Sequence, residues 1–308
     1  MIFISLKRLF LISSLMFNIA NASDIIATNN VKPDISNTIQ EKLAKLESSF
    51  DGRIGISAIN TSNGERIQYR ANERFAFCST SKLMVVSAIL NKSMAAPKLL
   101  QKNITYSQKY LEDSGYSPIT KKYLATGMSI AKLSEATLEY SDNTAMNLLV
   151  KQLGGPLAVT TYARSIGNET FRLDRYEPEI NSAIPHDVRD TSTPAAIEKS
   201  LQSMVLGNAL GLVQREQLIT WLKNNTTGNA KIRAGVPLGW IVGDKTGGGD
   251  YGTGNDVGII WPPKCPPIIL AIYTTQNKKD AQSNNEVIAS ATRMLIDAFA
   301  KTDKCIKL

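Results

Sequence analysis

Strand patterns at both ends of the chain flank a long helical middle, and few folds accommodate that order. RIGISAIN (53–60) and ERIQYRA (65–71) alternate as half-buried strands do, with Thr61-Ser62-Asn63-Gly64 as the hairpin turn between them. Before them, Ile39 to Phe50 has apolar residues at helical spacing. From Ser79 to about Leu222 the signal is helical, and SIAKLSEATLEY, NTAMNLLVKQLG and PAAIEKSLQSMVLG carry caps and apolar periodicity. Strands return as GWIVGDKTG, TGNDVGIIWPP and IILAIYTTQ, and EVIASATRMLIDAFA closes the chain as a helix. The economical arrangement is a mixed α/β (α+β) fold. An antiparallel sheet is built from both chain ends, the first and last helices pack on it, and an all-helical subdomain stands beside it. The site is expected in the cleft between the two. The expected divisions are a signal peptide over 1–22, an α/β subdomain from 23–71 and 223–308, and a helical subdomain over 72–222, with a flexible leader over 23–35.

The N-terminus has the pattern of a secretory signal. Lys7 and Arg8 precede an apolar stretch from Leu9 to Phe17, too short to span a bilayer, and Ala20-Asn21-Ala22 is an A-x-A site. Cleavage is expected after Ala22, giving an exported periplasmic protein without a membrane span. The composition is that of a globular protein, 43% hydrophobic and 20% charged, and the formal net charge is +8. The lysines are scattered, with no arginine-rich run and no interleaving of aromatic and basic residues, which argues against nucleic-acid binding and leaves a solvated basic surface suited to small anions.

Export makes the three cysteines, Cys78, Cys265 and Cys305, worth placing. The strand after Cys265 and the helix that follows it are of similar length at about 3.3 Å and 1.5 Å per residue. A helix returning along that strand brings Cys305 back to Cys265, so a disulfide between them is one expectation, and three unpaired thiols the other.

The chain has one histidine, His186, so nucleophilic chemistry must run without a histidine triad. Ser79-Thr80-Ser81-Lys82 offers another route. A serine and a lysine three residues apart share a helix face, and the run LMVVSAIL after Lys82 predicts burial. The same spacing recurs at Ser129-Ile130-Ala131-Lys132, where an amphipathic helix follows and an ordinary surface serine and lysine suffice. Taken alone, Ser79 and Lys82 also fit a helix cap with a lysine snorkelling to solvent. Three further motifs follow in order: Ser141-Asp142-Asn143, the loop Arg175-Tyr176-Glu177-Pro178-Glu179-Ile180-Asn181, and Lys245-Thr246-Gly247 at a strand end.

With these motifs in this order the chain resembles the class A serine β-lactamases, whose signature includes S-x-x-K, S-D-N and K-T-G. The resemblance covers nearly the whole mature chain. It implies that Ser79 attacks a β-lactam carbonyl to form an acyl-enzyme, that Lys82 or Glu177 (through a water) takes the proton, and that Glu177 with Asn181 activates the water that clears the ester. Lys82 serves as a base only if burial and neighbouring positive charge favour its neutral form. Ser141 relays a proton to the leaving nitrogen, Asn143 bonds the substrate's side-chain amide, and Lys245 and Thr246 hold its carboxylate. The N–H groups of Ser79 and Gly248 form the oxyanion hole, and glycines 247–249 let the backbone approach the ligand. Tyr116 lines the site entrance, Arg175 pairs with Asp190 to close the Glu177 loop, and the Glu177–Pro178 bond is cis. No cofactor or metal is implied, and His186 reads as structural. The implied partners are small β-lactams (penicillins, cephalosporins, with carbapenems open), and a monomer is expected.

The chain departs from its relatives in two places. The arginine usually found beside the K-T-G lysine is absent, since Gly254 cannot supply it, which leaves Lys231 or Arg233. Cys78 stands where carbapenem-hydrolysing relatives bond a cysteine just past K-T-G, but that place holds Gly249. The alternatives are a penicillin-binding transpeptidase or carboxypeptidase and a β-lactam sensor, neither of which has the deacylating glutamate.

Overall fold

The structure is a computed structural model and describes residues 35–308. The expected signal peptide and the leader up to residue 34 lie outside the described residues. The first helix, α1 (Ile35–Phe50), begins before Ile39, so the expected leader is at least one residue too long. Strands β1 (Gly52–Asn60) and β2 (Arg66–Tyr69) follow as a hairpin, with Ile56 opposite Tyr69 and Ile59 opposite Arg66. β2 stops before Arg70, whose φ of 43° takes the chain out of the extended region.

After β3 (Phe75–Ala76) a 3₁₀ turn over Cys78–Thr80 runs into α2 (Ser81–Ala95). The helical stretch continues as β4 (Asn103–Ile104), α3 (Gln108–Ser114), β5 (Met128–Ser129), α4 (Ile130–Glu139), α5 (Asn143–Leu153) and α6 (Pro156–Ser165). Then come β6 (Thr191–Ser192), α7 (Pro194–Val205) and α8 (Leu212–Lys223). The short ladders β3–β6 and β4–β5 were not anticipated, because two residues are too few to display alternation. Strands β7 (Ile241–Gly249), β8 (Thr253–Trp261) and β9 (Ile268–Gln276) and helix α9 (Asn285–Thr302) complete the chain.

Both ends of the chain meet in one antiparallel sheet of order β2-β1-β9-β8-β7, as expected. Alternate residues along each strand face opposite ways. Ile54, Ile56, Leu270 and Ile272 therefore enter a core with Leu43 of α1 and Leu295 and Phe299 of α9. Ile59, Ile259, Ile269 and Tyr273 enter a second core on the other face, continuous with Val85 of α2, Leu149 of α5 and Leu201 of α7. A bond joins Cys265 and Cys305 with Cα atoms 5.8 Å apart. Among the described residues no helix is long and apolar enough to cross a membrane.

Candidate active site

Ser79 lies in the 3₁₀ turn, and Lys82 in the first turn of α2. The turn is held by other hydroxyls: Thr80 Oγ1 donates to Phe77 O and Ser81 Oγ to Cys78 O, both at 2.7 Å. Ser79 Oγ is thus not spent on capping, and Lys82 is fully buried, which excludes the snorkelling alternative. Lys82 Nζ reaches Ser79 Oγ at 2.9 Å, Ser141 O at 2.7 Å, Ser141 Oγ at 3.1 Å and Asn143 Oδ1 at 2.7 Å. At Ser129 the same spacing yields only a helix cap. Its Oγ accepts from Lys132 N, and the Lys132 ammonium sits over the Tyr123 ring.

Ser141 occupies a left-handed position, φ 57°, just before α5. Asp142 is the scaffold of that segment. Oδ1 caps α5 by accepting from Ala145 N at 2.8 Å, while Oδ2 accepts from Ile119 N and Thr120 N at 2.9 Å. This ties the 116–120 loop to the helix, and Asn143 N donates to Tyr116 O at 2.8 Å, leaving the Tyr116 ring exposed. Asn143 gives one N–H to Ser114 O at 3.1 Å, so one amide hydrogen is left for a ligand.

Glu177 is buried at the head of a loop and joined to Pro178 by a cis bond. Its Oε1 accepts from Ser79 Oγ at 3.0 Å and pairs with Lys82 Nζ at 2.8 Å, while Oε2 accepts from Asn181 Nδ2 at 2.5 Å. The carboxylate therefore lies within direct hydrogen-bond reach of the serine. Asn181 Oδ1 is buried without a protein partner. Asn147 clamps the Glu177 backbone, taking its N–H at 2.9 Å and donating to its C=O at 2.8 Å. The pattern missed Asn147, although it lies one helical turn beyond Asn143 on the same face of α5. Arg175 pairs with Asp190, whose Oδ1 also accepts the N–H groups of Asp174 and Arg175, so the loop closes on itself.

The K-T-G end of β7 completes the group. Lys245 is fully buried, and its Nζ donates to Ser141 Oγ at 3.1 Å and to Thr246 O at 2.9 Å. Burial first and the Lys82 charge second bring its pKa down to about 7. Thr246 Oγ1 lies 2.6 Å from Thr227 Oγ1. Two of the three glycines make room for protein atoms. A Cβ at 247 would stand 2.8 Å from Phe77 O, and one at 249 would stand 2.4 Å from Asn181 O and 2.9 Å from Cys78 Sγ; only Gly248 has room. Arg233 is engaged elsewhere, with Asp244 and the carbonyls of Leu222 and Lys223. Lys231 is buried and donates to Gly247 O and Asn255 O. Burial raises the free Cys78 thiol pKa far above its usual value, which leaves it inert.

His186 is exposed on the Glu177 loop, beside a cavity of about 410 Å³ shared with Arg53 and Arg74. A second cavity, about 630 Å³, opens beside Glu177 between Tyr110, Asn147 and Lys151. Among the described residues no cluster of three or more His, Cys, Asp or Glu side chains could hold a metal. Serine, lysine and carboxylate thus converge within hydrogen-bond reach, with a second lysine behind a second serine: the constellation of a serine acyl-transfer site.

The chain belongs to the beta-lactamase enzyme family, whose profile it matches over residues 38–299. It is 54% identical over 269 residues to a beta-lactamase of Proteus vulgaris, covering 87% of this chain and 98% of that one. It is 52% identical to beta-lactamase OXY-1 of Klebsiella oxytoca, covering 86% and 90%. Among solved structures, a beta-lactamase from Desulfarculus baarsii superposes with a TM-score of 0.84 at 50% identity, covering 86% of this chain and 98% of that one.

Proposed function

We propose that this chain hydrolyses the amide bond of β-lactam antibiotics, penicillins and cephalosporins, through an acyl-enzyme on Ser79 that Glu177 clears. One observation carries this reading: Glu177 Oε1 lies 3.0 Å from Ser79 Oγ and 2.8 Å from Lys82 Nζ. Glu177, or Lys82 beside it, takes the Ser79 proton as Oγ bonds the carbonyl carbon, so acylation keeps a base when Glu177 is replaced. The Ser79 and Gly248 N–H groups receive the developing oxyanion, at about 2.7–4 kcal/mol per donor. When the C–N bond breaks, the ring nitrogen takes the Ser141 proton, and the proton first taken from Ser79 passes through Lys82 to restore it; Lys82 and Lys245 both lie 3.1 Å from Ser141 Oγ. Lys245 and Thr246 hold the substrate carboxylate, and Asn143 gives its remaining N–H to the side-chain amide. Tyr116 walls the entrance. Water, held between Glu177 and the unpartnered Asn181 Oδ1, then attacks the ester and gives a proton to Glu177, which passes it to Ser79 Oγ as the ester bond breaks, restoring both the hydroxyl and the carboxylate. A transpeptidase or a sensor needs a lasting acyl-enzyme, which a carboxylate in this position works against.

A monomer belongs to the same proposal, and the A-x-A site supports export to the periplasm after cleavage behind Ala22. The division into an α/β subdomain (23–71 with 223–308) and a helical one (72–222) belongs to the same proposal, with Ser79 and Lys245 contributed from opposite sides of the cleft. Intact-mass spectrometry with a penicillin tests the chemistry. Glu177→Ala should accumulate an adduct and lose turnover, and Ser79→Ala should form none. Normal turnover by Glu177→Ala, or an adduct on Ser129 in the Ser79 variant, would sink the assignment. N-terminal sequencing of the exported protein tests cleavage, and light scattering in solution tests the monomer.

A further inference from the structure

The Gly247 carbonyl and the Gly248 N–H belong to one rigid peptide unit, so whatever holds the carbonyl also aims the donor. Lys231 holds it. Its Nζ donates to Gly247 O at 3.0 Å and to Asn255 O, from the register partner of Gly247 on β8, at 3.1 Å. The residue is 8% exposed; burial lowers its pKa, and the buried Asp256 and Asp244 act against that shift. On its other flank the Gly247 backbone presses on the Ser79 turn, where a Cβ would come within 2.8 Å of Phe77 O and 3.2 Å of Thr80 N. The peptide is thus gripped between the nucleophile's turn and the buried Lys231 Nζ.

We infer that Lys231 is a positioning residue for the oxyanion hole: it fixes the plane of the Gly247–Gly248 peptide and, by polarising the carbonyl, strengthens Gly248 N–H as a donor. Hydrogen bonds in series polarise one another, so a cation on the carbonyl oxygen makes the amide hydrogen of the same unit a better donor. The inference rests on the reading of Ser79 and Gly248 as oxyanion donors. It assigns Lys231 a task other than grasping the substrate carboxylate, for which its ammonium, spent on two backbone carbonyls, is badly placed.

The two tasks separate experimentally with a chromogenic cephalosporin and its carboxyl methyl ester, each assayed on the wild type, Lys231→Met and Lys231→Gln. Loss of a whole oxyanion donor costs about 10²–10³ in rate, so weakening one in place should lower kcat about tenfold. That loss should be the same for acid and ester in Lys231→Met, with KM little changed, and smaller in Lys231→Gln, which keeps an N–H for Gly247 O. A rise in KM for the acid alone, with kcat intact, would assign Lys231 to the carboxylate and overturn the inference. Where Lys231→Met fails to fold by thermal melting, Lys231→Gln is read by the same acid-to-ester comparison. A spectroscopic readout is independent of turnover. In the acyl-enzyme trapped on a Glu177→Gln background, the ester carbonyl infrared band should move to higher wavenumber when Lys231 is replaced; an unmoved band overturns the inference. If Glu177→Gln with Lys231 intact traps no acyl-enzyme at all, the Ser79–Glu177 reading itself has failed, and this inference falls with it.

Discussion

Lys82 Nζ has more acceptors than hydrogens. Ser141 O and Asn143 Oδ1, both at 2.7 Å, can only accept, so two N–H bonds are committed whatever the protonation state. The third position faces Ser79 Oγ and Glu177 Oε1. An ammonium donates there to the carboxylate, and an amine turns its lone pair to the serine hydroxyl, so a proton can pass among the three with little movement of heavy atoms. The Lys82 charge also acts on Lys245, whose pKa, lowered to about 7 chiefly by burial, places its charge loss inside the working range. A lowered lysine pKa means the cation is present below about pH 7 and lost above it. Binding of a carboxylate-bearing β-lactam should therefore weaken as pH rises through 7. The free-enzyme profile of kcat/KM should fall on that limb, and Lys245→Arg, charged throughout, should flatten it. An unchanged limb in Lys245→Arg would mean another group titrates. Stability runs the other way for this residue. Between about pH 7 and 10.5 the unfolded chain binds more protons at this lysine than the folded one, so its contribution improves as pH rises.

The loop that carries Glu177 is positioned by two devices of different kinds. Asn147 reaches from α5 to both backbone groups of Glu177, and Asp190 binds Arg175 and two backbone N–H groups across the loop's neck. Asn147→Ala leaves a buried N–H and C=O unpaired and should destabilise by about 1–3 kcal/mol. Because it frees the base rather than the nucleophile, it should slow deacylation more than acylation, seen as a pre-steady-state burst with a cephalosporin. Arg175→Ala strands the buried Asp190 carboxylate and should cost about 3 kcal/mol, less whatever solvent reaches the site, measured by denaturant unfolding. What the sequence disclosed at this scale follows from locality. Caps, turns and the S-x-x-K, S-D-N and K-T-G motifs place their residues within one turn or one strand end, so Ser79, Ser141 and Lys245 were legible. Asn147 was not, and Lys231 only as a stand-in for the absent arginine, because their partners are backbone groups on other elements. Nor did the glycine run announce that two of its three members make room for protein atoms.

At the scale of the molecule, the sheet draws β1 and β2 from one end of the chain and β7, β8 and β9 from the other, so its central pairing, β1 with β9, closes the whole helical middle as a loop. The alternation that predicted these strands also divides their side chains between two cores, and this made the fold class readable before any coordinates. The boundary between the helical half and the sheet is less legible, because the second core runs through both without a break. β9 and α9 form the last lengths of that closure, and the Cys265–Cys305 bond spans them across 40 residues. Tying off a loop of that size removes unfolded-chain freedom worth up to about 4 kcal/mol in the chain-entropy picture. Both cysteines lie away from Ser79, Glu177 and Lys245, so the bond should act on stability and leave the chemistry alone. The double replacement Cys265→Ser, Cys305→Ser should lower the melting temperature by several degrees, about 2–4 °C for each kcal/mol lost, with kcat at 25 °C unchanged. Reduction of the wild type should add the mass of two protons and reproduce the shift, while Cys78, buried and unpaired, contributes nothing to it. A wild type whose mass and melting temperature ignore reductant would show that the two ends of β9 and α9 are held by packing alone.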